Sequence, residues 1–289
     1  MRVFQNIGAL HTVNLPKCTS PLITQIYEIQ TPDDVEALCT LGVDHIGSVI
    51  LNAEEWRRPV IRETVRAVKR CGKKSSLIPL FKDPETVYRT LDYYRPDVVH
   101  FCDMLSPNAD GGRLCRRLVT LQRTVRRRYP GIAIMRSIPV ACTGGDSSVA
   151  ETLALGELFE SVSDYFLTDT VLTSGAGSTS QPVAGFVGIT GQICHWETAR
   201  RLVAASEIPV ILAGGLSPEN VAAAVRTVRP AGVDSCTRTN RLDNRGRPIR
   251  FQKDLERVRR FLEEASQAAA AWTDTGAAGA AVGRRTAQP

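Results

Sequence analysis

The sequence predicts a single (β/α)8 barrel, and three observations carry the prediction. Eight short runs rich in apolar and β-branched residues alternate one for one with eight helical patterns. Alternation of that kind builds parallel βαβ units, and eight of them over about 245 residues match a closed barrel, for which about 250 is usual. A doubly wound open sheet is the competitor, but the Gly-x-Gly-x-x-Gly turn that would favour it does not follow the first run.

The strand runs are 22–29, 44–51, 75–81, 97–101, 132–138, 164–167, 208–213 and 232–236. The first helix is expected over Pro32–Leu38, with Thr31 as N-cap, Pro32 at its first position and Asp33 and Asp34 in its first turn. Asp83-Pro84-Glu85 and Ser217-Pro218-Glu219 repeat that start signal. The other helices are expected over about 60–71, 112–128, 147–161, 195–205 and 251–266. The domain plan is an N-terminal extension (1–20), the barrel (21–266) and a low-complexity, disordered tail (267–289). The Gly/Ser/Thr-rich segment 171–187 reads as a mobile lid.

Apolar residues are 43% and charged residues 23% of the 289-residue chain, as in an ordinary globular protein. No run of eighteen apolar residues exists and the first twenty residues lack an apolar signal core. A cytoplasmic protein without membrane contact is therefore expected. The net charge of +6 is spread, apart from Arg123, Arg126, Arg127 and Arg128, which read as the solvated end of a helix. No nucleic-acid motif accompanies them, and a phosphorylated small molecule suits the modest positive charge. None of the eight cysteines forms a Cys-x-x-Cys pair and the four histidines show no metal-ligand spacing, so no metal and no cofactor is expected.

Barrels of this type carry their site at the C-terminal ends of the strands, with phosphate beside strands seven and eight. Gly214-Gly215 after the seventh run lets backbone approach a ligand closely. From here the chain resembles the phosphoribosylanthranilate isomerase family. The match is carried by Leu212–Val221 followed by Gly232-Val233-Asp234, by Phe166-Leu167-Thr168-Asp169-Thr170, and by Gly188-Ile189-Thr190-Gly191-Gln192-Ile193-Cys194-His195-Trp196. Asp33–Leu51 and Arg247–Phe261 agree more loosely, so that the resemblance spans about residues 22–265.

The resemblance implies an Amadori rearrangement in tryptophan biosynthesis, by an aldose–ketose isomerase; a monomer or homodimer is expected. An N-linked phosphoribosyl amine becomes a 1-amino-1-deoxyribulose phosphate. That needs an acid for the furanose ring oxygen and a base for the C2′ proton. Asp169 stands at the family's acid. The family's base is a Cys in Lys-Ile-Cys-Gly, and here the segment is Gln25-Ile26-Tyr27-Glu28. A phenol, with a pKa of about 10, is a poor base, so Tyr27 is expected to orient or stack on the substrate. Glu28, Cys102, Asp103 and Cys236 are the alternative bases. The strand-four Gln-Leu-His-Gly is replaced by His100-Phe101-Cys102-Asp103, and the strand-eight Ser-Gly turn by Thr237-Arg238. Gly191, Gly214, Gly215, Thr237 and Arg238 are expected to bind phosphate. Arg57, or Arg58, is expected to meet the anthranilate carboxylate, and Cys102 to line the substrate. These changes leave two further readings open: a changed reaction in the same pocket, serving a specialised pathway, or a non-catalytic paralogue that binds a phosphorylated ligand.

Overall fold

The structure is a computed structural model. It describes residues 21–106, 109–142, 149–172 and 184–282, the side chains of 109–111 and 272–282 excepted. Eight parallel strands close in sequence order: β1 (Ile23–Ile26), β2 (His45–Ile50), β3 (Lys74–Pro79), β4 (Val98–Phe101), β5 (Ala133–Ala141), β6 (Tyr165–Val171), β7 (Val210–Leu212) and β8 (Gly232–Ser235). Pairing of β1 with β8, Gln25 opposite Asp234, seals the barrel. Around it lie α1 (Pro32–Leu41), α2 (Pro59–Arg70), α3 (Pro84–Tyr94), α4 (Ala109–Arg128), α5 (Val149–Glu160), α6 (Trp196–Ala205) and α7 (Val221–Val228). The (β/α)8 expectation holds.

Local signals explain most boundaries. Thr31 caps α1 through the Asp34 amide, and Asp83 caps α3 by accepting from the Thr86 amide at 2.9 Å. The third start signal behaves differently. Ser217–Asn220 closes on itself, with Asn220 Oδ1 accepting from the Ser217 amide at 2.8 Å, and α7 begins only at Val221. β1 stops at Ile26, short of the expected Ile29, because Glu28 takes a left-handed φ of 66° that ends regular pairing.

The chain after β8 departs most from expectation. Residues 248–253 are a strand, not the start of the last helix: β10 (Pro248–Lys253) pairs antiparallel with β9 (Asn240–Leu242). Asp243 builds the turn between them, accepting from the amides of Arg245 and Arg247 at 2.8 and 2.9 Å. The last helix, α8 (Leu255–Val282), then runs past residue 266, where a disordered tail was expected. Its run Ala268–Ala271 has the highest helix propensity of any residue type, and Ala265 and Ala268 are buried against the α1 and α7 side of the barrel. Residues 1–20 and 283–289 lie outside the described residues.

The barrel interior is layered by the two-residue strand period. Val98, Met135, Leu167 and Ile211 form one apolar layer. Two positions further along the same strands stand His100, Ser137, Asp169 and Ala213. With Gln25, Ser76 and Asp234 these make a mainly polar middle layer. Tyr27, Val49, Leu80, Cys102 and Val187 form a third, apolar layer at the mouth.

Candidate active site

A cavity opens at the C-terminal ends of the strands and collects most of the expected site residues. Tyr27, Cys102, Asp169, Gly191, Gly214, Gly215, Thr237 and Arg238 all line it. Arg57 does not. It is exposed, with its guanidinium 5.1 Å from the Tyr93 ring centroid on α3, because the β2–α2 loop carries it outward. Arg58, the alternate, precedes α2 and binds through its backbone to Tyr94 Oη. Neither arginine is in place for a carboxylate in the cavity, and Arg238 is the one cation among the described lining residues.

Asp169 ends the inward row of β6. Its Oδ1 accepts from the Thr170 amide at 3.0 Å and its Oδ2 from Ser137 Oγ at 3.3 Å. Burial raises its carboxyl to about 7, against the two hydrogen bonds, which favour the ionised form. Gly188 packs on this carboxylate so closely that a Cβ there would overlap it.

The phenol of Tyr27 lies inward as expected, but its hydroxyl is already engaged. It sits 2.5 Å from Ser76 Oγ and 2.8 Å from His100 Nδ1. Burial pushes its pKa well above the usual range, which removes it as a base. Room for so large a side chain comes from Gly47 on β2, where a Cβ would overlap Cδ1 and Cε1 of the ring. Gly47→Ala is expected to destabilise the protein by about 1–3 kcal/mol through this overpacking. Denaturant unfolding checks it, and unchanged stability would mean that the ring moves aside freely.

His100 continues the contact across the mouth, with Nε2 2.8 Å from Ser137 Oγ. It is fully enclosed, and burial with the nearby Arg136 charge lowers its pKa to about 3. Ser76, Tyr27, His100, Ser137 and Asp169 thus touch in one line from β3 to β6.

The alternative bases fare unequally. Asp103 does not line the cavity; its Oδ2 pairs with Arg136 at 2.9 Å on the outer side of the barrel wall. Glu28 lines the cavity and is held by Arg250, with Arg250 Nε 2.6 Å from Oε1. The thiols of Cys102 and Cys236 are pushed well up by burial.

One carboxylate was not singled out from sequence. Asp234 on β8 lines the cavity, with Oδ1 accepting from Gln25 Nε2 at 3.0 Å; Oδ2 has no hydrogen-bond partner among the described residues. Burial raises it to about 7, Gln25 opposes the rise and the charge of Asp169 adds to it. Its signal in the sequence was an acid at an inward position of the eighth strand. Ser137 was a hydroxyl inside an apolar run, and equally legible in retrospect.

The phosphate candidates gather where β6, β7 and β8 end. Arg238 Nε donates to the Gly191 carbonyl at 2.9 Å, tying the 188–194 loop to the turn after β8. Gly215 has a φ of 60° and faces the Gln192–Ile193 backbone at 2.6–2.8 Å from where a Cβ would sit. Any side chain at 215 would therefore strike that loop before reaching a ligand. Of the expected lid, 173–183 lie outside the described residues. The described end is pinned: the Met104 amide donates to the Gly185 carbonyl at 3.0 Å, and the Val187 amide to the Cys102 carbonyl at 2.9 Å.

Comparison with known proteins agrees with this arrangement. Residues 148–237 match the family model of N-(5′-phosphoribosyl)anthranilate (PRA) isomerase. The chain is 30% identical to the N-(5′-phosphoribosyl)anthranilate isomerase of Haloferax volcanii over 244 residues, 83% of this chain and 91% of that protein. It is 26% identical to isomerase 1 of Methanosarcina mazei over 239 residues, 81% of this chain and 90% of that one. Among solved structures, monomers derived from the dimeric phosphoribosylanthranilate isomerase of Thermotoga maritima superpose with a TM-score of 0.59 at 17% identity, covering 85% of this chain and 99% of that one. A barrel closed in the same way, an acid at the end of β6 and a near full-length relative at this identity lead to one conclusion: the chain belongs to the phosphoribosylanthranilate isomerase family.

Proposed function

We propose that the chain isomerises N-(5′-phosphoribosyl)anthranilate to the corresponding 1-(o-carboxyphenylamino)-1-deoxyribulose 5-phosphate, in tryptophan synthesis. The observation that carries the reading is the sharing of one cavity by a carboxyl raised to about 7, Asp169, and by the glycine turns and Arg238 suited to phosphate. Phosphate would sit against Gly191, Gly214, Gly215, Thr237 and Arg238, drawn by backbone donors and one guanidinium. The apolar wall of Val49, Leu80 and Val187 suits an aromatic ring. Cys102 belongs to that wall.

Asp169, protonated, gives its proton to the furanose ring oxygen; the C1′–O bond breaks and a C1′=N bond forms. A carboxylate then removes the C2′ proton, and the resulting enaminol becomes the ketone as C1′ gains a proton. We assign the proton removal to Asp234, which lines the same cavity and whose Oδ2 has no hydrogen-bond partner among the described residues. Burial raises both carboxyls to about 7 and the charge of Asp169 adds to the rise at Asp234, so a protonated and an ionised carboxyl are both available near neutral pH. Tyr27 is a positioning residue in this scheme. The survival of Asp169 and Gly214-Gly215 speaks against a non-catalytic ligand binder. The catalytic unit is the barrel, 21–266, acting in the cytoplasm as a monomer or homodimer. No helix among the described residues is long and apolar enough to cross a membrane.

The test is complementation of a tryptophan auxotroph that lacks the isomerase. Growth is expected, and failure to grow with the protein expressed would overturn the assignment. In the purified enzyme Arg238→Ala is expected to raise KM about tenfold or more with a small change in kcat, as loss of one charge-assisted phosphate contact requires. An unchanged KM would move the phosphate elsewhere.

A further inference from the structure

Two positions that depart from the family pattern touch each other. Tyr27 replaces the family's Cys, His100 replaces the Gln of its strand-four motif, and Tyr27 Oη lies 2.8 Å from His100 Nδ1. A chance double change on two strands of a barrel has no reason to end in a hydrogen bond. The contact also does not stop there. His100 Nε2 reaches Ser137 Oγ at 2.8 Å, and Ser137 Oγ reaches Asp169 Oδ2 at 3.3 Å. At the other end Tyr27 Oη meets Ser76 Oγ at 2.5 Å. Every intermediate group in this line both donates and accepts.

We propose that Ser76, Tyr27, His100, Ser137 and Asp169 form one hydrogen-bonded wire whose direction is set by the proton on Asp169, so that the protonation state of the acid is written into the tautomer of His100. The argument follows from counting protons. His100 is neutral in its enclosed position, so one ring nitrogen carries a proton and the other accepts. When Asp169 is ionised, Oδ2 can only accept. Ser137 must then donate to it, and Ser137 Oγ must accept from His100 Nε2–H. Nδ1 is left bare and accepts from the Tyr27 hydroxyl, which in turn accepts from Ser76. When Asp169 is protonated and donates to Ser137, each bond reverses: Ser137 donates to Nε2, Nδ1–H donates to Tyr27, and Tyr27 donates to Ser76. Both arrangements satisfy every member, and mixed ones leave two donors or two lone pairs facing each other in a buried space.

The wire gives Tyr27 and His100 a role as positioning residues: they hold Ser137 ready either to donate to the spent carboxylate or to accept from the loaded acid. The other groups near Asp169 are outside it. Asp234 on β8 binds Gln25 and meets Asp169 only as a charge, Cys102 just after β4 and Cys194 before α6 make no hydrogen bond to Asp169 among the described residues, and Arg136 on β5 acts on His100 as a charge.

The inference rests on Asp169 being the acid of the proposed reaction, but its test needs no substrate. The substrate-free protein, labelled with 15N at histidine and 13C at aspartate carboxyls, is titrated by NMR from pH 5 to 9. The His100 ring nitrogens are expected to exchange protonated and unprotonated shift positions, Nδ1–H at low pH and Nε2–H at high pH, with the midpoint of the Asp169 carboxyl titration. In Ser137→Ala, a small change that spares the fold, the exchange is expected to vanish and the Asp169 midpoint to rise, since its ionised form loses a donor. A His100 tautomer that stays fixed across the Asp169 titration would overturn the wire, as would one that follows Asp234 instead. If the exchange is seen in a protein that fails to complement the auxotroph, the wire stands and the proposed reaction falls.

Discussion

Asp169→Asn is expected to lower kcat by about a hundredfold or more while leaving KM within a few-fold, the signature of a lost proton transfer. Asparagine keeps the size of the side chain and an oxygen for the Thr170 amide, now 3.0 Å from Oδ1, so binding geometry has little reason to change. What disappears is a proton held near neutrality by burial. The pH dependence carries the sign. An acid must be protonated to act, so kcat/KM of the wild type falls as pH rises through about 7. Asp234, in the opposite role, must be ionised, so activity also falls as pH drops below its own midpoint, about 7. Two carboxyls so close in pKa produce a narrow bell centred near 7, whose limbs belong to the pair. In Asp169→Asn the upper limb is expected to flatten along with the loss of rate. Steady-state kinetics from pH 5 to 9 checks both. A variant within fivefold of wild type, with its upper limb intact, would take the acid role away from Asp169.

The barrel was legible because each of its strands and most of its helices carry local signals that agree. The β-branched runs, the Thr31 and Asp83 caps and the closing order of eight units all point the same way. The hairpin 240–253 was not legible. Its strand Pro248–Lys253 alternates half-buried with exposed residues, and the pattern Arg247–Phe261 resembles a helix lead-in until the Asp243 turn is seen. Gly214-Gly215 was legible as a turn that lets backbone approach closely, and Asp169 through the resemblance of Phe166–Thr170 to the family's sixth-strand ending; the structure brings both to the cavity. The place of Arg57 was not legible. Its direction depends on how the β2–α2 loop packs on Tyr93, a contact with another βα unit. Asp234 and Ser137 were hidden for a different reason. A polar residue at an inward strand position becomes informative only when the layer it shares with other strands is known.

Removing the Asp103 carboxylate is expected to cost about 3–5 kcal/mol of stability, because it strands a guanidinium that cannot leave the interior. Arg136 is wholly buried on β5, its Nη1 2.9 Å from Asp103 Oδ2 and its Nε 2.7 Å from Gln122 Oε1. The rings of Phe101 and Phe159 lie 5.3 and 4.9 Å from the guanidinium carbon. Even the intact pair is imperfectly satisfied, since Arg136 Nη2 and Asp103 Oδ1 have no hydrogen-bond partner among the described residues. That leaves Asp103→Ala with one more orphaned charge and Asp103→Asn with the bond but less attraction. An ion pair in this setting gains little over good apolar packing, so the double variant Asp103→Leu/Arg136→Met is expected to recover to within about 1 kcal/mol of wild type. Urea unfolding of the single and double variants measures the contrast. The double variant also decides a point of mechanism. Asp103 stands one residue beyond the cavity-lining Cys102, and its backbone bridges Phe186 of the loop that covers Asp169. A folded double variant that retains kcat would confine Asp103 to packing and leave Asp234 as the base. A hundredfold loss in a double variant of wild-type stability would return proton chemistry to Asp103. A single Asp103→Ala as stable as wild type would show that Arg136 finds water or another acceptor without cost.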